Sequence, residues 1–158
     1  MGVRDGDGWV ACACGRPHWG LYGAAGLLLV RRDLAEPHVL LQLRAPWTHG
    51  GGTWALPGGA IDSHEDSVTA ALREAHEEAG VDATVVEVTE VYCDDHGNWR
   101  YDTVIAQTHG DAGAHAANHE SEALQWVLLA EVDDFPLHPG LAASWPSLHA
   151  RVVAVCDG

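Results

Sequence analysis

The most informative part of this 158-residue chain is the stretch of residues 58–81, GGAIDSHEDSVTAALREAHEEAGV. Ser63 followed by Asp66 is typical of a capping box at the start of a helix, and Gly80 is a residue type that commonly ends one. We therefore predict a helix over residues 65–79. Its apolar residues fall on a single stripe, which must face a hydrophobic core: Val68, Ala71, Leu72, Ala75 and Ala79.

Three glutamates, Glu74, Glu77 and Glu78, lie on another side of this helix, in its last two turns. The helix dipole is negative at that end, so each anion there is unfavourable by about 0.3–1 kcal/mol. Glu74 and Glu78 are also an i,i+4 pair of like charge, which adds a few tenths of a kcal/mol. Two interpretations remain open: a solvated acidic face, or a cluster of hard oxygen ligands for Mg²⁺ or Mn²⁺.

The spacing of the glycines and charged residues in this stretch resembles the Nudix box of the Nudix hydrolases, over residues 59–81. The segments GAAGLLL, TWALPGG, ESEALQWV and FPLHPG outside the box are also similar to MutT-like Nudix proteins of actinobacteria. One position of the box that usually holds a bulkier aliphatic residue is Ala75 here, but no charged residue of the box is missing. The residues that match the box are Gly59, Glu65, Arg73, Glu74, Glu77, Glu78, Gly80 and Val81.

The resemblance implies which residues hold divalent cations. It assigns Glu120, on the loop before a later strand, as one more ligand or as the general base, with Glu122 as the competing candidate. The implied ligands within the box are Glu74, Glu77, Glu78 and the carbonyl group of Gly59.

The resemblance also implies supporting and substrate-binding residues. Arg73 and Glu65 would hold the ligating carboxylates in position, and their alternative is an ordinary exposed ion pair. Arg44, at the end of the segment LLQLR, resembles a position that contacts phosphate, and its alternative is a surface role.

The pattern of the whole chain favours an α/β fold. Strands and helices that do not alternate regularly indicate a mixed sheet packed by helices, and the resemblance implies an α/β/α sandwich in a single domain over residues 1–158. Apolar or alternating segments predict strands over residues 22–30, 38–43, 84–92, 99–107 and 124–129, and a second helix over 141–153.

Composition excludes some classes of partner. The chain has 23 acidic residues and eight arginines without lysine, a formal net charge of −15, so nonspecific binding to nucleic acid or to an anionic membrane is not expected. It has no apolar run of about 18 residues for a transmembrane helix and no signal-peptide pattern at its start. We expect a cytoplasmic protein that is a monomer or homodimer and takes a small nucleotide substrate.

Cys12, Cys14 and His18, within CACGRPH, are candidate zinc ligands, but a tetrahedral site needs four and no second Cys/His pair follows. We therefore expect an ordinary strand here, with residues 1–20 forming an N-terminal extension or edge strand. The four cysteines of the chain are too few for a disulfide scaffold.

Together with the resemblance, the sequence implies a Mg²⁺- or Mn²⁺-dependent Nudix pyrophosphohydrolase. It would cleave a phosphoanhydride bond of a nucleoside di- or triphosphate, such as 8-oxo-dGTP or a related oxidised nucleotide, by water attack at phosphorus. One alternative is a diphosphatase for ADP-ribose or another nucleoside diphosphate derivative. Another is a non-catalytic nucleotide-sensing module, although such modules typically lose box carboxylates. The base-contacting Asn of the MutT type has no match in FPLHPG, so base specificity stays open.

Overall fold

We describe the protein from a computed structural model, in which residues 4–47, 51–117 and 121–157 are described. Within these ranges no helix has both the length and the apolar character needed to cross a membrane. The helices are α1 (Ser67–Ala79) and α2 (Pro139–Asp157), and 3-10 turns span Ala83–Val85 and Leu129–Asp134. The strands are β1 (Trp9–Ala11), β2 (Pro17–Trp19), β3 (Ala24–Arg31), β4 (His38–Arg44), β5 (Trp54–Ala55), β6 (Gly58–Ala60), β7 (Glu87–Asp95), β8 (Arg100–Thr108) and β9 (Ser121–Leu128).

Seven strands form one mixed sheet in the order β5-β4-β3-β8-β7, in which β6 also pairs with β3 and β9 with β4. β3 runs parallel to β8 and antiparallel to β4 and β6. β3 and β4 pair only at one end, where Val30 lies opposite Val39 and Arg31 opposite His38. Further along, β6 pairs with β3 and β5 pairs with β4, so the sheet is split between its two central strands.

The two helices cover opposite faces of this sheet. Alternate residues of β3 point to opposite faces: Leu27 and Leu29 pack in the cluster that contains α1, and Leu28 and Val30 pack in the cluster that contains α2. The predicted apolar stripe of α1 lies within the first of these clusters. The α/β/α sandwich with a mixed sheet, predicted as a single domain, is confirmed.

The ends of α1 follow from two local structures. Asp66, not Ser63, caps the helix by accepting a hydrogen bond from Thr69 N at 2.8 Å, and Ser63 instead hydrogen-bonds to the N-terminal segment, so the helix starts later than predicted. Gly80 ends it with a left-handed φ of 65°, and its N–H donates to the His76 carbonyl at 3.0 Å. A residue with a Cβ atom would be strained there, which explains the glycine.

The remaining predicted elements are present, with shifted ends. β7 begins only at Glu87, because Asp82 accepts a hydrogen bond from Thr84 N and caps a 3-10 turn before it. α2 is longer than predicted and continues through Pro146.

The N-terminal region forms a hairpin instead of an edge strand of the main sheet. β1 and β2 pair with each other in a separate two-stranded sheet. A tight turn joins them, in which Gly15 N donates to the Cys12 carbonyl at 3.0 Å. The hairpin therefore satisfies these backbone groups locally, without pairing to the main sheet.

Candidate active site

Glu78 lies where the sheet splits, and its side chain bridges two strands. The residue is only 3% exposed. Its Oε2 atom accepts hydrogen bonds from Gly58 N of β6 at 2.9 Å and from Gln42 Nε2 of β4 at 3.5 Å. Burying an ionised group is costly unless it is partnered, so this carboxylate belongs to a built site and not to a solvated acidic face.

Glu74 approaches β6 from one turn earlier in α1. A Cβ atom added to Gly59 would lie 2.7 Å from the Glu74 Cδ atom, so the Glu74 carboxylate lies directly against β6 and would have to shift if residue 59 had a side chain. Burial raises the pKa of the Glu74 carboxyl group, and the adjacent Arg73 guanidinium opposes that shift. Glu74 and Gly59, which the sequence predicted as two ligands of one site, are thus neighbours in space.

Arg73 connects the surrounding acidic side chains. Its Nε and Nη2 atoms donate to the two oxygens of Glu65, each at 2.7 Å. Nη1 donates to Glu74 at 2.7 Å, and Nη2 also donates to the Ala60 carbonyl at 3.1 Å. The side chains of Glu65 and Arg73 are 3% and 17% exposed, so they are not an ordinary surface ion pair. The two-fold contact with Arg73 lowers the pKa of Glu65.

Glu77 is the most exposed of the three glutamates, with 38% of its side chain accessible. Arg4, in the N-terminal segment, donates to Glu77 through Nη2 and to Asp62 through Nη1, the latter at 3.2 Å. Sequence reasoning missed Arg4, because no local pattern shows that the chain start crosses the acidic end of α1.

The three glutamates share one side of α1, but their carboxylates do not converge on one point in the described part of the chain. The acidic group whose candidate ligand atoms all lie within 4.8 Å of one another is Asp62, His64 and Glu65. Its carboxylates already have partners: Glu65 pairs with Arg73, and Asp62 accepts from Gly6 N at 3.0 Å. This second group therefore supports the loop before α1.

The donor chemistry at α1 fits a hard divalent cation. Glu74, Glu77, Glu78 and the Gly59 carbonyl are all oxygen donors, which Mg²⁺ and Mn²⁺ prefer. The buried Gln42 Oε1 atom beside Glu78 has no hydrogen-bond partner among the described residues. Buried polar atoms normally have a partner, and a water molecule carried by a bound cation would supply the missing donor.

Arg44 lies on the same face of β4 as Gln42, two residues further along, and is half-buried. Burial raises the pKa of the nearby Tyr101 hydroxyl, Glu78 adds to that shift, and Arg44 opposes it. Arg44 therefore faces the same region as Glu78. Tyr101, on β8, is a second residue that sequence reasoning missed.

Of the two candidates for an additional glutamate, only Glu122 lies among the described residues. Glu122 is exposed on β9, at an irregularity in the pairing opposite Leu43 and Arg44. Glu120 lies outside the described residues, so its assignment stays a prediction.

Comparison with known proteins identifies the family. The NUDIX domain model matches residues 21–149. A Mycobacterium tuberculosis protein named "Putative 8-oxo-dGTP diphosphatase 3" is 50% identical over 97% of this chain and 75% of its own length. A Bifidobacterium longum nucleoside triphosphate pyrophosphatase/Nudix hydrolase fusion protein is 44% identical over 94% of this chain but only 32% of its own length.

Comparison with a solved structure identifies the same family. The crystal structure of the Nudix hydrolase RenU from Mycobacterium smegmatis superimposes with a TM-score of 0.88, at 46% identity, over 95% of this chain and 97% of that one. The chain therefore belongs to the Nudix family, and the enzyme class predicted from its sequence, a pyrophosphohydrolase, is confirmed.

Proposed function

We propose that this enzyme hydrolyses a phosphoanhydride bond of a nucleoside di- or triphosphate, with Mg²⁺ or Mn²⁺ as cofactor and water attacking phosphorus. The observation that carries the proposal is the burial of Glu74 and Glu78 beside β6. Two carboxylates at the negative end of a helix destabilise it when no cation is bound. Their position is explained if they bind a divalent cation, which in turn binds the polyanionic substrate.

Glu74, Glu77, Glu78 and the Gly59 carbonyl are the proposed ligands, and Glu120 is proposed as a further ligand or as the general base. A divalent cation supplies charge neutralisation for the phosphate oxygens and activates water for in-line attack. The chain's own contribution is to hold the carboxylates. Gly58 N and Gln42 orient Glu78, while Arg73, itself held by Glu65, orients Glu74.

Arg4 has a supporting role in this proposal. Arg4 pairs with Glu77, which Arg73 also reaches at 3.5 Å. Glu77 is exposed enough to turn from Arg4 toward an incoming cation.

Arg44 is the proposed contact for a substrate phosphate group. It lies on the strand face that carries Gln42 and near the buried region of Glu78. A guanidinium matches the geometry of phosphate oxygens.

The name of the M. tuberculosis relative supports 8-oxo-dGTP or a related oxidised nucleotide as the substrate. The segment FPLHPG at residues 135–140 lacks the Asn expected of a base-specific MutT site, which keeps ADP-ribose and similar compounds as the alternative. The test is a panel of dNTPs, 8-oxo-dGTP, NDPs, ADP-ribose, NADH and diadenosine polyphosphates, with products separated by ion exchange. The proposal expects the highest kcat/KM for an oxidised nucleotide. A clear preference for ADP-ribose, or binding without any turnover, would contradict it.

A further inference from the structure

A second cluster of possible ligands lies outside the acidic site. Cys12, Cys14, His18 and His96 each offer one ligand atom, and these four atoms all lie within 4.8 Å of one another. The Cys12 Sγ atom is 3.4 Å from His96 Nδ1, and the Cys14 Sγ atom is 3.1 Å from His18 Nε2. Sequence reasoning found three of these residues and missed His96, which is 78 positions beyond His18 in the chain.

The cluster spans two hairpins that are not paired strand to strand. Cys12, Cys14 and His18 belong to the β1–β2 hairpin, and His96 belongs to the turn between β7 and β8. Asn98 in that turn fixes the hairpins together: its Oδ1 atom accepts from Ala13 N at 2.8 Å, and its Nδ2 atom donates to the Ala11 carbonyl at 2.6 Å. The Asn98 side chain thus holds the two hairpins, and with them the four candidate ligands, in one place.

Both histidines are oriented by neighbours outside the ligand set. His96 Nε2 lies 3.1 Å from Asp94 Oδ2. A proton on Nε2 satisfies this carboxylate and leaves the Nδ1 lone pair directed at Cys12, the arrangement found around metal-binding histidines. The His18 ring stacks on Trp99, with 4.1 Å between ring centroids and 11° between planes.

The thiols are suited to binding a metal. The Cys12 Sγ atom accepts a hydrogen bond from Cys14 N at 3.3 Å, and the Cys14 Sγ atom lies beside the His18 ring. Thiolate is the form that binds metals, and metal binding releases the thiol protons.

We propose that Cys12, Cys14, His18 and His96 form a structural Zn²⁺ site. Two thiolates and two imidazoles are a donor set that Zn²⁺ takes in tetrahedral geometry, and four protein ligands leave no open position for catalysis. With Zn–S near 2.3 Å, neighbouring ligand atoms in such a site are about 3–4 Å apart, close to the separations of the free side chains. Mg²⁺ prefers oxygen ligands and does not compete here.

The physical consequence is a cross-link between the N-terminal hairpin and the main sheet. β1 and β2 have only three residues each and pair with no other strand. A two-stranded hairpin is marginally stable alone, and metal binding adds its free energy to folding. The zinc therefore keeps this hairpin ordered, and hydrogen exchange of residues 9–19 should accelerate when it is removed.

The test starts with metal content. Protein purified in reducing buffer without chelator should contain one zinc ion per chain, by mass spectrometry after desalting. Replacement by Co²⁺ should give sulfur-to-cobalt charge-transfer bands and the strong visible bands of tetrahedral cobalt. Absence of bound zinc after incubation with equimolar Zn²⁺, or an octahedral cobalt spectrum without sulfur bands, would overturn the proposal.

Variants separate this site from the acidic one. Cys14→Ala and His96→Ala should each lose the zinc, whereas Cys93→Ala, which removes a thiol outside the cluster, should keep it. Glu78→Gln should also keep one zinc per chain. Zinc that stays on Cys14→Ala with an unchanged cobalt spectrum, or that leaves on Glu78→Gln, contradicts the assignment. Because Cys14 is exposed, its replacement does not disturb the core.

Discussion

Arg73 is the residue on which the positions of the acidic side chains depend. One guanidinium contacts both oxygens of Glu65, one oxygen of Glu74 and the carbonyl group of Ala60. A lysine keeps the charge but cannot donate in these fixed directions. The arrangement of the site therefore requires the shape of this side chain as well as its charge.

We expect Arg73→Lys to weaken apparent Mg²⁺ affinity by about 10–100-fold, as loss of an orienting contact does at other metal sites. Mn²⁺ binding followed by electron paramagnetic resonance, together with the Mg²⁺ dependence of turnover, measures the effect. Arg151→Lys is the matched control, because Arg151 pairs with Glu90 away from the acidic site. Equal metal affinity in the two variants would show that Arg73 does not position the ligands.

Arg44→Ala tests the proposed phosphate contact. Removing a charge-assisted hydrogen bond of about 1.5–3 kcal/mol should raise KM for the nucleotide roughly tenfold to a hundredfold, with unchanged metal affinity. Arg31→Ala, which breaks an ion pair with Asp33, serves as the control in the same steady-state assay. A KM like that of the wild type would assign Arg44 a surface role.

At the scale of elements, α1 depends on its cap at Asp66. Asp66→Ala leaves the first N–H groups of the helix without this acceptor, so the thermal midpoint of unfolding should fall by a few degrees. Asp66→Asn keeps a hydrogen-bond acceptor, so its thermal midpoint should fall less than that of Asp66→Ala. Calorimetry of the three proteins measures the difference, and an Ala variant as stable as the Asn variant would show that the cap contributes nothing.

The same cap has a predictable pH dependence. The hydrogen bond from Thr69 N lowers the pKa of Asp66 in the folded state, so its ionised form stabilises the fold above the ordinary Asp pKa of about 3.9. That stabilisation is lost as pH falls through the lower folded-state value. The stability advantage of wild type over Asp66→Asn should therefore disappear under acid conditions, and an advantage constant down to pH 2 would contradict this.

Local chemistry explains which elements the sequence could predict. The strands β3, β4, β7, β8 and β9 and the helix α1 have their own apolar periodicity, and they were predicted within a few residues. β5 and β6 have two and three residues. They are strands only because β3 and β4 separate there, so that β6 can pair with β3 and β5 with β4. No periodicity within so short a segment can show that.

The residues of the candidate site also separate into those that the local sequence could predict and those that it could not. The residues of the box could be predicted because they lie within one helix and the loop before it. Arg4, Gln42 and Tyr101 could not, since their place beside the glutamates depends on pairings between distant segments. His96 was missed for the same reason.

At the scale of the whole molecule, the negative charge of the site opposes stability until a cation binds. We expect Glu78→Gln to have a thermal midpoint in metal-free buffer equal to or above that of wild type. The amide oxygen can still accept from Gly58 N, and a buried charge is removed. Addition of Mg²⁺ should raise the thermal midpoint of the wild type more than that of the variant, because only the wild type has the complete metal site. A variant that unfolds without metal would reveal a structural role for the charge.

Hydrolysis of the best substrate in the panel, measured as a function of Mg²⁺ for wild type and Glu78→Gln, tests whether carboxylate-bound metal is the basis of catalysis. We expect no turnover in excess EDTA and full recovery with Mg²⁺. We also expect a kcat lower by several orders of magnitude in a Glu78→Gln protein that remains folded. Turnover by wild type in EDTA, or a near-normal kcat for Glu78→Gln, would contradict a carboxylate-bound divalent cation as the basis of catalysis.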